Sequence, residues 1–214
     1  MFRLFLSVVT CALAIPAPVD NERPQHTALL EKARINMIEN LMRQPNYTCL
    51  QTIERTIRRG ASRRFELFDM IRLEVALVNG RELFSWPGAH QFDDKAIDEL
   101  VTGGAIGNGT FALHAKSIFQ GSPQYKYVGE ETVAGRKLLR WNYHVGLLSS
   151  GFTLRAGGKE AIVGFHGSFW IDPDSLDATR IEVEAEDIPL DLHLLRAADS
   201  VDYVRAPIGD KTFL

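Results

Sequence analysis

The stretch GFHGSFWIDPDSLDATRIEVEAE, residues 164–186, decides the fold class of this chain. Asp172-Pro173-Asp174-Ser175 has the composition of a tight turn, because Asp and Ser side chains bond nearby backbone amides and Pro restricts its own φ angle. Apolar and polar residues alternate on both sides of the turn, with the period of two that is typical of a strand. The stretch therefore predicts two antiparallel strands. Their apolar residues are Phe165, Phe169, Ile171, Ile181, Val183 and Ala185, and the acidic residues of the second strand are Glu182, Glu184 and Glu186.

A second hairpin is predicted around Asn79-Gly80, which lies between two alternating apolar runs and suits a two-residue type I′ turn. With these two residues as the loop, Val75 lies opposite Phe84 and Leu73 lies opposite Trp86. The four side chains share one face of the hairpin, so this part of the sheet also has an apolar side.

A third hairpin is predicted with Val133-Ala134-Gly135 as a three-residue loop and Gly135 in the left-handed conformation. This loop places Tyr127 opposite Trp141 and Tyr125 opposite Tyr143. The aromatic residues again fall on one side, so the predicted sheet has one aromatic face and one charged face.

Three helices accompany the strands. The first is predicted from Pro24 to Arg43, with Thr27 as its N-cap. A short helix follows Asp93-Asp94 and passes through Ile97, Leu100 and Val101, and another runs from about Phe111 to Phe119. The apolar stripe of the first helix consists of Leu30, Ala33, Met37, Ile38 and Leu41.

The charge balance argues against a nucleic-acid partner. The 214 residues include 24 Lys and Arg against 27 Asp and Glu, a net charge of −3, and the sequence pI is near 6.1. Nucleic-acid binders concentrate basic residues on one face and have a basic pI. We therefore expect no nucleic acid among the partners.

Residues 1–14 have the pattern of an export signal, with Arg3 followed by an apolar run that ends in Ala12-Leu13-Ala14. The run is shorter than the roughly 20 apolar residues that cross a bilayer, so no permanent membrane span is expected. Residues 15–23 are then a linker and residues 24–214 a single domain, exported to the periplasm. Cys11 leaves one alternative open, since a cysteine in this place is a candidate for lipidation.

No residue pattern indicates catalysis, a metal or a cofactor. The histidines, at positions 26, 90, 114, 144, 166 and 193, show no His-x-x-x-His spacing, and Gly-x-Ser-x-Gly does not occur. Cys49, the only cysteine after the signal, is expected to be a small buried hydrophobe. We expect no metal, no cofactor and no enzyme activity; His144 or His166 beside a carboxylate in a pocket would make an enzyme an alternative again.

A basic segment follows the strand predicted from Tyr47 to about Ile57. Two interpretations stay open, a solvated loop and a contact with anionic lipid headgroups. The arginines of this segment are Arg55, Arg58, Arg59, Arg63 and Arg64.

Trp170-Ile171-Asp172-Pro173, with Arg180 after the turn, resembles the Trp-x-Asp-Pro…Arg hairpin of the periplasmic lipoprotein-carrier superfamily. The order of parts is similar over most of residues 24–214: an N-terminal helix, an antiparallel meander and a helical insertion. The chain is also similar to exported proteins of acidobacteria. The resemblance to the carriers implies a strongly curved half-barrel closed by helices, with an apolar cavity for acyl chains.

The sequence thus predicts an α+β fold: a strongly curved antiparallel sheet of about nine or ten strands, a half-barrel, with an N-terminal helix and a two-helix insertion. We expect an exported protein that binds a lipid, an acylated molecule or another apolar ligand in a sheet–helix cavity, for transport or sensing. The alternative is a protein-interaction or envelope structural module with a filled core and an envelope protein as its partner. The expected cavity residues are Leu73, Val75, Phe84, Trp86, Phe111, Phe119, Trp141, Tyr143 and Phe165.

Overall fold

The described part of the chain is an α+β fold with antiparallel strands, as the sequence predicts. The computed structural model describes residues 22–58, 64–79, 81–95, 97–101, 105–107 and 111–214, and the predicted export signal lies outside these residues. The helices α1, α2 and α3 are Glu22–Met42, Ile97–Leu100 and Phe111–Phe119. The strands β1 to β13 are Tyr47–Ile57, Glu66–Val78, Arg81–Ser85, Ala105–Gly107, Gln124–Val133, Arg136–Val145, Thr153–Ala156, Lys159–Ile162, Gly164–Ile171, Ala178–Glu186, Ala198–Asp202, Ala206–Ile208 and Lys211–Phe213.

The described strands form four hydrogen-bonded sheets instead of one continuous sheet. The largest has the order β11-β10-β9-β6-β5, and the others are β1-β2-β3, β4-β7-β8 and β12-β13. The prediction of a single sheet of nine or ten strands is wrong in this respect. The described strands on either side of α2 and α3, β1-β2-β3 and β5-β6, pair locally and not with each other.

One face of the five-stranded sheet is covered by α1 and α3. The apolar stripe predicted for the first helix is confirmed, since Leu30, Ala33 and Met37 are buried against this sheet. The predicted N-cap is wrong, because the helical backbone already begins at Glu22 and Thr27 lies inside the helix. The two helices are joined by Arg34, whose guanidinium donates to the Phe119 carbonyl at the end of α3 (Nη2 to O, 3.1 Å).

The predicted register of the β2–β3 hairpin is confirmed at Val75, which lies opposite Phe84. Asn79 has the left-handed φ of 53° that a type I′ turn requires. Trp86 does not pair with Leu73, however, because β3 ends at Ser85 and Leu73 pairs only with β1.

The β5–β6 hairpin has the predicted pairing but a shorter loop and a bulge. Tyr127 lies opposite Trp141 and Tyr125 opposite Tyr143, as predicted. The loop, however, has two residues instead of three, Ala134 and Gly135, with φ angles of 49° and 80°. A bulge between Tyr127 and Gly129 restores the register, since it inserts one residue into β5.

The sheet β1-β2-β3 is covered on one face by α2. The apolar residues of β2 and β3 pack there against Ile97 and Val101. Cys49 lies on β1, the edge strand, and is exposed, so the prediction that it is buried is wrong. The covering residues of α2 contact β2 and β3, which leaves this part of β1 open.

Candidate functional site

Four of the nine expected cavity residues lie together in a packed core. Phe119, Trp141, Tyr143 and Phe165 are 0–3% exposed and belong to one cluster with the apolar stripe of α1. Phe169 lies among them, with its ring centroid 5.1 Å from that of Phe119 and 5.8 Å from that of Trp141, to which it is stacked. Ring pairs at these distances are in direct contact, so these residues contact each other where a ligand was expected.

The other expected residues lie elsewhere. Leu73, Val75 and Phe84 are buried in the separate cluster beneath α2. Trp86 follows β3 and is 48% exposed, and the side chain of Phe111 lies outside the described part of the structure. The expected residues therefore divide between two packed clusters and the surface, and they do not line a common cavity.

An open groove of about 610 Å³ lies on the opposite, polar face of the five-stranded sheet. The two arginines that line it are already paired: the Arg140 Nη1 to Glu131 Oε1 distance and the Arg196 Nε to Glu184 Oε1 distance are both 2.7 Å. A charged ligand would have to displace these pairs, so the groove is a poor binding site for one. Its lining residues are Arg140, Asn142, His166, Gly167, Ser168, Glu182, Val183, Glu184, Arg196, Ala198, Asp199 and Ser200.

His144 and His166 both contact the carboxylate of Glu186 at one end of this face. The distances are 2.5 Å from His144 Nε2 to Oε1 and 3.2 Å from His166 Nδ1 to Oε2. Gly164 makes this possible, because a Cβ at that position would lie only 2.9 Å from Glu186 Oε1. The arrangement places two half-exposed imidazoles against one carboxylate. Among the described residues, no group of three or more His, Cys, Asp or Glu has a geometry that would hold a metal ion.

The β1–β2 hairpin continues beyond the third strand of its sheet as a two-stranded ribbon. β3 pairs only with Glu74–Val78, whereas β1 pairs with β2 as far as Ile57 and Glu66. Near this end the side chains are apolar and exposed. We call the following four residues the ribbon tip: Phe65 (59% exposed), Leu67 (61%), Phe68 (38%) and Met70 (57%).

A bulge in the ribbon places Leu67 and Met70 on the same face. The register shifts between Arg55 and Thr56, which face Asp69 and Leu67, so Phe68 has no residue directly opposite. Side chains alternate between faces along a strand, and the extra residue reverses that alternation. Leu67, opposite Thr56, therefore lies on the same face as Met70, opposite Glu54, and the Phe68 ring lies against Arg55.

Arginines surround the ribbon tip. The Arg55 guanidinium lies 5.0 Å from the Phe68 ring centroid and is paired with Asp69 (Nε to Oδ1, 2.7 Å). The Arg58 guanidinium lies 5.8 Å from the ring centroid of Phe65. The hydrogen bond from Arg55 lowers the pKa of the Asp69 carboxyl, so this pair stays charged down to acidic pH. The tip thus joins apolar side chains to the guanidinium of Arg58, while the charge of Arg55 is balanced by Asp69.

The sequence carries a signal for the tip that the alternation rule missed. In the segment FELFDM, residues 65–70, apolar side chains occur at both odd and even positions. A strand with one buried face has apolar residues at one parity only, so a mixed parity indicates a bulge or an exposed apolar face. The basic segment beside it was recognised, but the link between the two was not.

Comparison with known proteins does not identify a family for the chain. No protein-family model, no curated protein and no solved structure matches it. Among the described helices, none combines the length and the apolar character that a membrane-spanning helix needs. The function is therefore inferred from the residues themselves.

Glu82, on the β1-β2-β3 sheet, should make folding pH-dependent. Burial raises the pKa of its carboxyl to about 7, and the charge of Lys116 opposes this only partly. Below the unfolded pKa of 4.5 both states are protonated, and the cost of burying the charge is absent. Stability falls as the pH rises from there through about 7.

Glu82→Gln is therefore expected to raise the free energy of unfolding by about 1 kcal/mol near pH 8.5, after allowance for solvent screening, and to leave it unchanged near pH 4. Urea titrations at the two pH values measure this. The matched control is Glu130→Gln, at an exposed position of β5. Equal effects of Glu82→Gln at both pH values would contradict a raised pKa of the Glu82 carboxyl.

Proposed function

We propose that the protein is a non-catalytic binding module of the cell envelope, exported by its N-terminal signal, which docks on a partner through the ribbon tip. This is the interaction module with a filled core that the sequence left as the alternative. The observation that carries the proposal is the contrast between the two apolar regions. The aromatic face of the five-stranded sheet is covered by helices, whereas Phe65, Leu67 and Met70 are each more than half exposed.

Exposed apolar side chains in a contiguous segment are unusual in a folded protein and mark binding surfaces. Exposed leucines also occur elsewhere, as at Leu147, Leu148 and Leu195. The tip differs from them because four such residues fall within six positions and because two of its rings lie against guanidinium groups. We therefore assign docking to the tip.

Ligand carriage in a sheet–helix cavity remains a prediction from the sequence, together with the strongly curved half-barrel that it implies. It would require α1 and α3 to separate from the five-stranded sheet, since Phe119 and Met37 are buried in the same cluster as Trp141. Exposing these side chains costs free energy in proportion to their apolar area. We favour docking because it needs no such opening.

Catalysis is the less favoured interpretation of the polar face. The contact of His144 and His166 with Glu186 meets the condition that the sequence analysis set for an enzyme. Covalent catalysis would also need a nucleophile nearby, and the Ser168 hydroxyl is committed, since it donates to Asn142 Oδ1 (2.9 Å) and accepts from Arg140 (3.0 Å). We therefore assign this face a structural role.

Hydrogen–deuterium exchange tests the proposal. The purified protein is labelled with and without envelope membranes, and exchange is measured for each peptide. We expect slower exchange for the peptide that contains residues 64–70, because a docked tip shields its backbone amides from solvent. Unchanged exchange of this peptide would remove the proposal.

A further inference from the structure

We propose that the partner of the ribbon tip is the surface of an anionic lipid bilayer. In this arrangement the apolar side chains of the tip enter the interfacial region, and Arg58 and Arg64 contact the phosphate headgroups. The inference rests on the proposed docking function and names its partner. Three observations favour a lipid surface over an envelope protein as the partner.

The first reason is charge. The chain has a net charge of −3, yet four of its 24 basic residues occur within the seven positions 58–64, which contain no acidic residue. Glu66 and Asp69 follow, but Asp69 is already paired with Arg55. A local positive charge on an acidic protein is attracted to anionic headgroups and orients the rest of the molecule away from them.

The second reason is the arrangement of arginine and aromatic side chains. The Arg58 guanidinium lies 5.8 Å from the Phe65 ring centroid, and that of Arg55 lies 5.0 Å from the Phe68 ring centroid. Arg extends its apolar stem along apolar surface and keeps its charge in the polar layer, and exposed apolar rings partition into the region just below. The tip presents both groups at the same end of the ribbon.

The third reason is size. The four side chains of the tip expose on the order of 400 Å², about half of the roughly 800 Å² per partner in a specific protein interface. Reversible membrane attachment needs a smaller apolar area, since a short apolar insertion combined with a basic cluster already suffices. The area of the tip therefore fits a bilayer surface better than a stable protein interface.

Vesicle flotation with the purified protein tests the inference. The probes are vesicles of mixed phosphatidylglycerol and phosphatidylcholine and vesicles of phosphatidylcholine alone. We expect at least tenfold stronger partition onto the anionic vesicles, with a decrease as ionic strength rises, because salt screens charges beyond about 8 Å at physiological concentration.

Two tip variants and one control complete the experiment. Leu67→Asn combined with Met70→Asn, and Arg58→Gln combined with Arg64→Gln, should each weaken binding to anionic vesicles about tenfold or more. All four positions are exposed, so folding is unaffected and circular dichroism checks this. Leu195→Asn removes an apolar side chain that is 90% exposed outside the tip and should leave binding unchanged.

The outcomes separate this inference from the proposed function. If the protein binds neither kind of vesicle while envelope membranes still protect residues 64–70, the partner is an envelope protein and only the lipid inference is overturned. If both binding and protection are absent, both proposals fail. Equal binding to the two kinds of vesicle, or equal loss with Leu195→Asn, also overturns the inference.

Discussion

Replacing Gly167 with alanine should strongly destabilise the protein, because the added methyl group has no room. Gly167 lies on β9, between β6 and β10, and a Cβ there would be 1.9 Å from the Glu182 carbonyl oxygen and 2.9 Å from the Tyr143 hydroxyl. That hydroxyl crosses the position of Gly167 to donate to the same carbonyl, at 2.8 Å. Since a backbone oxygen cannot move aside, we expect a loss of about 3 kcal/mol in the free energy of unfolding.

Gly151→Ala is the matched control for this change. Gly151 is exposed, and an added Cβ would meet no atom within 4 Å. Its substitution should shift the urea midpoint little, whereas Gly167→Ala should lower it strongly or prevent folding. Similar midpoints for the two variants would show that β9 does not approach β10 as closely at Gly167 as the structure has it.

The second large effect is expected for Asp177→Ala, at the end of the turn between β9 and β10. The Asp177 side chain is 7% exposed and accepts two hydrogen bonds of 2.7 Å from Arg205. It also accepts a hydrogen bond of 3.1 Å from Asn36, on α1. Removing the carboxylate leaves a half-buried guanidinium without its acceptor and leaves Asn36 with only its bond to the Leu176 carbonyl, at 3.0 Å, so we expect a loss of about 2–3 kcal/mol.

Asp174→Ala, in the same turn, provides the comparison. Asp174 is exposed, and it takes part in the turn through its backbone amide, which donates to Asp172 Oδ1 at 2.9 Å. An alanine keeps that amide, so its effect on thermal unfolding should stay within about 0.5 kcal/mol. If Asp177→Ala were as mild, Asp177 would not tie α1 and Arg205 to the turn.

Alternation and turn chemistry predicted the local pairing well. Val75 opposite Phe84 and Tyr127 opposite Trp141 follow from a period of two and a turn of known length. The same rules failed where a residue was inserted into a strand. The bulges at Val128 and at Phe68 have no unique sequence pattern, because their geometry depends on what each strand packs against.

The candidate site was less predictable than the fold. Alternation assigns Trp141 and Phe165 to an apolar face, but it does not say whether another side chain or a ligand covers that face. In the structure this face is covered by other side chains, those of Phe169 and of α1, which is distant in sequence. The ribbon tip was missed for a related reason, since how far β3 extends along β2 depends on tertiary contacts and not on the sequence of β2.

The most direct measurement of the central claim is the distribution of hydrogen exchange across the chain when the protein is bound to membranes. The docking account predicts protection confined to the peptide with residues 64–70, with α1, α3 and the five-stranded sheet exchanging as in the free protein. Faster exchange in α1 and α3, together with an unchanged tip, would mean that the helices leave the sheet to admit a ligand. That result would contradict docking through the tip and restore the cavity as the site.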